Sequence, residues 1–432
     1  MEDGMATVLL ISSLDTRSQE TLYAKRMIEH YGCKVLLMDI SMGAYKDCGA
    51  DYSCLDVAAE AGVPFEQICG KKGTADNLGV MVRGAIGIAK RLFDQGLIDG
   101  IAGLGGASNT TAFSNIMKTL TFGFPKLILS SSAAMPAYAG AYYGFKDIAI
   151  FHSCIDINGL NEFVKSVIRR FAGMIAGVLR VERMKPQTNG QQVSMSEFQF
   201  VEVCARKITG ILESKGVQVI PFHAQGVGDR IMDEMIGDGL FKGSLDLVPA
   251  GLSEALFGGN RDAGLERLEK EMAAGIPVVL TPSGFDLLSC GPYERRVSDP
   301  LWKKMRIEKR KLYVQDQFRV QARTSKHEME IIGKAFSEKV NKAKVKVAVF
   351  VPLRGFSSLS IEGGPLHDPE SDQAFVQSLR EHLNKAAVDL VEMDCAYNDD
   401  SFAQAIAHRF LGMLEVELKH QDGLQNGATI TG

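Results

Sequence analysis

The feature that most constrains the fold of this chain is a repeated alternation of short apolar segments with longer helical ones. Ala6–Ser12 and Lys34–Ile40 are strand-like apolar runs, and the segment 18–31 between them has a helical pattern. The same order recurs at Gly100–Leu104, which is followed by the helical segment Ser108–Leu120. Strands that are apolar on both faces and separated by helices indicate a parallel sheet covered on each side. The sequence therefore predicts an open α/β fold.

The length of the chain and one polar interruption predict how it divides into domains. A chain of 432 residues is longer than one ordinary domain. Between positions 183 and 194 the apolar pattern almost disappears, and Pro, Asn, Gly and Gln accumulate, which is typical of a linker. We predict two Rossmann-like, doubly wound domains with mainly parallel sheets, at 1–182 and 201–418, a linker at 183–200 and a polar tail at 419–432.

Composition and charge narrow the class of protein. The chain has 48 Lys and Arg residues against 52 Asp and Glu, so it lacks the basic excess of nucleic-acid-binding proteins. Its eight cysteines include no Cys-x-x-Cys pair, which predicts reduced thiols. The first residues do not resemble a signal peptide, and no apolar run reaches the roughly 18–20 residues that span a bilayer. We expect a cytoplasmic homodimer without a metal site and without membrane or direct nucleic-acid contact.

Glycine is the compositional outlier, with 44 of 432 residues where about 30 would be typical. The clearest concentration is a loop that leads into a helix; its residues are Gly103, Gly105, Gly106, Ala107, Ser108, Asn109 and Thr110. Glycines let a backbone approach a ligand closely, and the first turn of a helix offers N–H groups to an anion. The loop matches neither a Walker A motif nor a strict dinucleotide fingerprint, so a tight turn with a helix cap is the alternative.

The loop after the first predicted strand is a second candidate for anion binding. It contains Ser13, Asp15, Thr16 and Arg17, and the equivalent loop of doubly wound folds contacts phosphate or ribose. Asp15 could orient Mg²⁺ or a sugar hydroxyl, and Arg17 could neutralise a phosphate. The alternative is that Asp15 or Thr16 caps the following helix while Arg17 is solvated.

The loops after two further strands add hydroxyl, imidazole and thiol groups. Ser130, Ser131 and Ser132 could bind phosphate oxygens, although turn formation explains three serines equally well. His152 and Cys154 raise the hypothesis of a cysteine nucleophile. A structural pair is the favoured interpretation, because only cysteines in accessible, electropositive sites are reactive.

The second half of the chain repeats the design of a strand, a glycine-containing loop and a helix. His223 ends a predicted strand and precedes Arg230, and a histidine in such a place is a candidate general base or ligand. A later loop contributes Arg354, His367 and Asp368. These five residues are the catalytic candidates for an enzyme acting on a small phosphorylated or carboxylated metabolite between the domains. A structural histidine is the alternative for His223.

Several short motifs occur in one order along the chain. In the first half they are Leu14-Asp15-Thr16, Gly103-Leu104-Gly105-Gly106, Pro125-Lys126 and Asp156-Ile157-Asn158-Gly159-Leu160-Asn161. In the second half they are Phe222-His223-Ala224-Gln225-Gly226, Leu245-Asp246-Leu247, Gly275-Ile276-Pro277 and Pro365-Leu366-His367-Asp368-Pro369. Over about residues 6–415 they resemble the Tm-one-like ATP-binding family, also called uncharacterised protein family 0261.

The resemblance implies two Rossmann-like domains, the first of which binds ATP, with or without Mg²⁺. One plant member is similar to an inhibitor of tobamovirus RNA replication that binds the viral replication protein, which implies a protein partner. In the glycine loop, Ala107 replaces the family's Ser and Asn109 replaces its last Gly. We predict that loops 12–17, 103–110 and 130–134 hold the phosphates. The alternatives are an enzyme of small anionic metabolites and a regulatory module with nucleotide as a structural ligand.

Overall fold

A parallel sheet with helices on both faces forms the centre of each of the two units into which the chain divides, Met1–Lys185 and Pro186–Gly432. The computed structural model describes residues 5–70, 75–181 and 191–428. The predicted fold class, two α/β domains with mainly parallel sheets, is confirmed. Apolar runs such as Val8–Ile11 are fully buried, because helices exclude water from both faces of a parallel sheet.

The N-terminal unit contains five strands and six α-helices in its described part. The strands are β1 (Thr7–Ser12), β2 (Lys34–Asp39), β3 (Gly100–Gly105), β4 (Lys126–Ser130) and β5 (Ala149–His152). The helices are α1 (Leu14–His30), α2 (Cys54–Glu60), α3 (Ala75–Asp94), α4 (Ala107–Met117), α5 (Ala139–Tyr143) and α6 (Glu162–Leu179). All neighbouring strands are parallel, in the order β2-β1-β3-β4-β5.

The strand order places a topological switch between β1 and β3. From β1 the chain first moves outward to β2 and then crosses to the other side of β1 to form β3. Helices α1 and α6 pack on one face of this sheet, and α2, α3 and α4 pack on the other. Open α/β sheets bind ligands beyond the carboxyl ends of their strands at such a switch.

The C-terminal unit contains a six-stranded parallel sheet and a small antiparallel one. Its strands are β6 (Gln191–Glu197), β7 (Val217–His223), β8 (Ser244–Asp246), β9 (Val278–Leu280), β10 (Leu287–Ser289), β11 (Leu312–Val314), β12 (Val320–Arg323), β13 (Val347–Pro352) and β14 (Val388–Met393). The orders are β14-β13-β9-β8-β6-β7 and, antiparallel, β10-β12-β11.

Eight α-helices cover these sheets in the described part of the unit. They are α7 (Glu202–Glu213), α8 (Val227–Gly237), α9 (Gly251–Phe257), α10 (Glu269–Ala273), α11 (Pro300–Lys304), α12 (Lys326–Val340), α13 (Pro369–His382) and α14 (Asp400–Ala428). The small sheet has its own core, in which Trp302 is buried and its Nε1 donates to the carbonyl oxygen of Cys290 at 3.0 Å. The stretch 302–323, which is rich in Lys and Arg, is therefore anchored by apolar contacts.

Two predicted boundaries need correction. The predicted linker, 183–200, includes strand β6 and the 3-10 helix Gln199–Val201, so the second sheet begins inside it; residues 183–190 lie outside the described part. The predicted polar tail, 419–432, is helical as far as Ala428, because α14 extends into it. Within the described ranges, none of the helices is both long and apolar enough to cross a membrane.

A buried arginine joins two elements of the C-terminal unit, α8 and β8. Arg267 has no exposed surface, and its Nη1 donates to Asp233 on α8 at 2.8 Å. Its Nη2 donates to Asp246 at the end of β8 at 2.6 Å. Burial raises the pKa of Asp233 to about 6 even though Arg267 opposes the shift. The guanidinium therefore compensates carboxyl groups that would otherwise be costly to bury.

Candidate functional site

The carboxyl ends of β1, β3 and β4 bring the predicted anion-binding loops of the N-terminal unit together. Ser13 follows β1, Gly106 follows β3 and Ser131 follows β4, and these strands are neighbours in the sheet. The Ser131 N–H donates to the carbonyl oxygen of Gly105 at 3.2 Å. The loops therefore meet at the switch point, where a ligand of an open α/β sheet is expected.

Gly103 and Gly105 at the end of β3 and Gly106 after it occupy different surroundings. A Cβ on Gly103 would lie 2.6 Å from the Phe113 ring, and one on Gly105 would lie 2.5 Å from Cβ of Asn109. Packing inside β3 therefore explains both glycines, and their predicted contact with phosphate stays a prediction. Gly106 differs, because an added Cβ would meet only Ser131 Oγ, at 3.8 Å.

Neither backbone conformation nor packing requires a glycine at position 106. Its φ of −88° and ψ of −163° are open to any residue. The space beside its Cα is free of close protein atoms. A glycine here leaves the backbone open to close approach by a ligand.

Helix α4 begins after this glycine, and the N–H groups of its first turn have no acceptor within the helix. Its first internal hydrogen bond runs from the Thr110 N–H to the carbonyl oxygen of Gly106 at 2.8 Å. The N–H groups of Ala107, Ser108 and Asn109 precede that bond and have no intrahelical acceptor. Gly106 is the N-cap and supplies no side-chain cap, so an anion could take that place.

A side-chain hydrogen bond connects the loop after β1 with the first turn of α4. Ser13 Oγ donates to Asn109 Oδ1 at 3.0 Å. Because Asn109 also lies against Gly105, its amide is fixed between the two loops. The asparagine that departs from the family's glycine thus orders the switch point.

Buried hydroxyl groups support the loop after β4. Thr110 Oγ1 lies 2.7 Å from Ser130 Oγ, which lies 3.2 Å from Ser132 Oγ. Ser132 Oγ in turn lies 3.3 Å from the hydroxyl of the buried Tyr142. Ser130 and Ser132 therefore position the loop, and half-buried Ser131 is the serine that lies beside Gly106.

The charged residues of the first loop are engaged with neighbouring segments. Asp15 Oδ2 accepts the Gly43 N–H at 3.1 Å, in the loop after β2. Arg17 Nη2 lies 3.5 Å from Asp156 Oδ1, and Thr16 is exposed with its hydroxyl on the Ser13 carbonyl oxygen. These contacts join the three side chains to the loop after β2, to Asp156 and to their own loop, whereas Ser13 contacts Asn109 on α4.

A buried carboxylate at the end of β2 was not among the predicted site residues. Asp39 is 4% exposed, and its Oδ1 accepts the N–H groups of Leu14 at 3.0 Å and Ser41 at 2.9 Å. Burial raises the pKa of Asp39, against the effect of the hydrogen bonds from Ser41 and Leu14. The signal available in the sequence was its position, since an aspartate ends the second strand of the predicted fold.

The pair formed by His152 and Cys154 lies at the end of β5. Cys154 Sγ is 3.8 Å from His152 Nδ1, and Cys154 is the exposed member of the eight free cysteines. Its φ of 61° is in the left-handed region, which is uncommon for a residue with a side chain. His152 is the register partner of Ser130, so the pair borders the serine loop.

We expect Cys154 to be the fastest-reacting thiol of the folded protein. Burial raises the pKa of Cys54, Cys204 and Cys290 to about 12, which suppresses their thiolates. Brief treatment with iodoacetamide near pH 8, followed by peptide mass spectrometry, should label one cysteine predominantly. Cys154→Ser should remove that label, and fast labelling of a buried cysteine would contradict the expectation.

The catalytic candidates of the C-terminal unit do not form one site. His223 ends β7, whereas Arg354, His367 and Asp368 follow β13, four strands away at a separation of about 19 Å. Arg354 is paired with Asp394 at 2.7 Å through both Nε and Nη2, and Arg230 is paired with Glu266 at 2.7 Å. These pairs are on the surface.

The remaining two candidates have structural roles in the same region. His367 Nδ1 lies 2.9 Å from the carbonyl oxygen of Ser360, and Asp368 is the N-cap of α13.

Beside His223, the structure adds Glu197, its register partner on β6. Burial raises the pKa of Glu197, and Glu202 raises it further. Among the described residues, no group of three or more His, Cys, Asp or Glu side chains is arranged to hold a metal ion.

Comparisons with known proteins extend over nearly the whole chain. The models of uncharacterised protein family UPF0261 match residues 6–184 with its N-terminal domain and 191–414 with its C-terminal domain. A UPF0261 protein of Clostridium tetani is 32% identical over 410 residues, which are 94% of this chain and 99% of that protein. The ToMV resistance protein Tm-1(GCR237) of Solanum lycopersicum is 29% identical over 324 residues, which are 74% of this chain and 42% of that protein.

Among solved structures, the UDP-N-acetylglucosamine 2-epimerase from Rickettsia bellii has similarity to this chain, with 10% sequence identity and a TM-score of 0.22. The match covers 64% of this chain and 79% of the epimerase.

Proposed function

The chain belongs to uncharacterised protein family UPF0261 in both of its units, and from that premise we propose that its N-terminal domain binds the phosphate groups of ATP. The observation that carries the proposal is Gly106. This glycine is required neither by its backbone angles nor by its neighbours, and it stands at the start of a helix in the switch of a parallel sheet. Phosphate groups are the ligands that such helix starts favour.

Two kinds of hydrogen-bond donor and a helix dipole are available beside Gly106. The amides of Ala107, Ser108 and Asn109 supply N–H groups, and Ser131 adds a half-buried hydroxyl. The dipole of α4 adds partial positive charge at its first turn. A polyanion would therefore be bound chiefly by backbone groups, which explains how the site can work without a Walker A lysine.

Magnesium would enter this site as a companion of the phosphates. Mg²⁺ keeps most of its water ligands and is usually held by one or two carboxylates together with substrate phosphates. We propose no protein ligand for it, because Asp15, the predicted candidate, has its Oδ2 on the Gly43 amide.

Calorimetric titration of the full chain with ATP, with and without Mg²⁺, tests the proposal. We expect saturable binding, and we expect inorganic tripolyphosphate to compete, because the proposed contacts are to phosphate. The absence of binding at millimolar ATP would overturn the proposal. Measuring phosphate release in the same mixtures distinguishes an enzyme from a module that holds nucleotide as a structural ligand.

A further inference from the structure

We propose that the base of the bound nucleotide stacks on the ring of Tyr138. The site would then bind nucleotides more tightly than inorganic polyphosphates, which have no aromatic ring. This inference rests on the proposed function. Tyr138 lies in the segment after the serine loop, and its side chain is 47% exposed. A half-exposed aromatic ring can stack on a nucleotide base without hydrogen-bond readout.

A continuous set of contacts connects this ring to the phosphate loop. Ser131 lies beside Gly106, and the next residue, Ser132, is 3.3 Å from the Tyr142 hydroxyl. The Tyr142 ring is buried and lies 6.3 Å from the Tyr138 ring, centroid to centroid, at a tilt of 46°. The buried Tyr142 ring thus supports the exposed ring of Tyr138.

Helix α4 holds both parts of the proposed site. Its N-terminus is at Gly106, and residues near its C-terminus bind the segment that contains Tyr138. Ser114 Oγ donates to the carbonyl oxygen of Tyr142, and Lys118 Nζ donates to that of Ala141 at 2.5 Å. Because one helix positions the amides and the aromatic segment, the distance between them is fixed before a ligand binds.

The opposite side of the switch offers a poorer place for the nucleoside. In dinucleotide-binding folds a carboxylate near the end of the second strand binds the ribose. Here Asp39 occupies that place, is 4% exposed and is engaged by the backbone amides of Leu14 and Ser41. The glycine loop also follows β3 instead of β1. Both facts favour a position of the base on the β4 side of the switch, where Tyr138 lies.

The loop after β2 supplies a matched control. Tyr45 is also 47% exposed, but it lies on the β2 side of the sheet. Removing either ring takes away a similar exposed aromatic surface. Only the loss of the Tyr138 ring should lower the affinity for the nucleotide.

The experiment measures dissociation constants of ATP and of inorganic tripolyphosphate for the full chain and three variants, Tyr138→Ala, Tyr138→Phe and Tyr45→Ala. We expect Tyr138→Ala to weaken ATP binding about tenfold, the usual scale of a lost base–aromatic stack. Its tripolyphosphate affinity should stay unchanged. Tyr138→Phe and Tyr45→Ala should bind both ligands as the unaltered protein does.

Each other outcome has a defined meaning. If ATP and tripolyphosphate both fail to bind the unaltered protein, the proposed phosphate site is wrong and the inference falls with it. If tripolyphosphate binds but Tyr138→Ala leaves ATP affinity unchanged, the stacking inference alone is overturned. Loss of ATP affinity in Tyr45→Ala would place the base on the β2 side and would also overturn it. An equal loss for both ligands in Tyr138→Ala would show a structural effect instead of stacking.

Discussion

Gly106→Ala should weaken ATP binding about 100-fold while leaving the folded protein as stable as before. The added methyl group would stand in the space that the phosphates are proposed to occupy, and it would separate them from the α4 amides. Losing two charge-assisted hydrogen bonds costs about 3 kcal/mol, which corresponds to that factor. Stability should be retained, because the nearest atom to the new Cβ is Ser131 Oγ at 3.8 Å. Calorimetry and thermal melting measure the two effects separately.

The neighbouring glycine is the matched control for this prediction. Gly105→Ala places its Cβ 2.5 Å from Asn109 Cβ, so we expect a loss of about 1–3 kcal/mol in stability from overpacking. The two substitutions add the same methyl group one residue apart, but only Gly105→Ala should lower stability. Unchanged ATP affinity in a folded Gly106→Ala protein would refute the phosphate site at this loop.

Arg267→Met should destabilise the C-terminal unit by about 3–5 kcal/mol, the usual cost of removing one partner from a buried ionic cluster. The substitution would leave the Asp233 and Asp246 carboxyls buried without their guanidinium, which donates to them at 2.8 and 2.6 Å. Trp302, the single tryptophan of the chain, is buried in this unit, so its fluorescence during urea unfolding reports the loss selectively.

The pH dependence of that loss is a second observable. A buried carboxyl whose folded-state pKa is raised, such as Asp233 at about 6, binds its proton more tightly in the folded chain. Stability therefore falls as the pH rises from about 4 through the folded-state pKa. Without Arg267 the pKa of Asp233 rises further, so the deficit should be larger near pH 7.5 than near pH 5.

An exposed ion pair serves as the control for the buried one. Arg354 forms a bidentate pair with Asp394, and both side chains are mostly exposed. Arg354→Met should leave the urea midpoint unchanged, because exposed pairs contribute little to stability. A deficit for Arg267→Met no larger than that of Arg354→Met, or one that grows toward acid pH, would contradict the account of a compensated acidic cluster.

Much of the architecture follows from local sequence signals, but one strand shows where they fail. The continuous apolar runs predicted both parallel sheets. Strand β6 was assigned to a linker because its sequence is rich in Gln and Ser. It is nevertheless inside the sheet, where Ser194 Oγ donates to Ser244 Oγ at 2.9 Å and Ser196 Oγ to Asp246 at 2.5 Å. Polar residues can be buried when a neighbouring strand satisfies them, and that neighbour is 50 residues away.

The candidate site shows the same division between local and distant information. The loops that contain Ser13, Gly106 and Ser131 were predicted, because each follows an apolar strand. His223 and His367 were grouped in one hypothetical site by similar reasoning, and the strand order separates them. The predicted homodimer, protein partner and cytoplasmic location stay predictions.

The sequence by itself determined the fold class and predicted the edge of the sheet at which ligands would be bound, because periodicity and glycine content are local properties. The tertiary structure decided which groups at that edge face open space. Gly103, Gly105 and Gly106 are equivalent in the sequence, yet the Phe113 ring and the Asn109 side chain fill the space beside the first two. Only distances between residues brought together by folding distinguish a glycine that packs from a glycine that can admit a ligand.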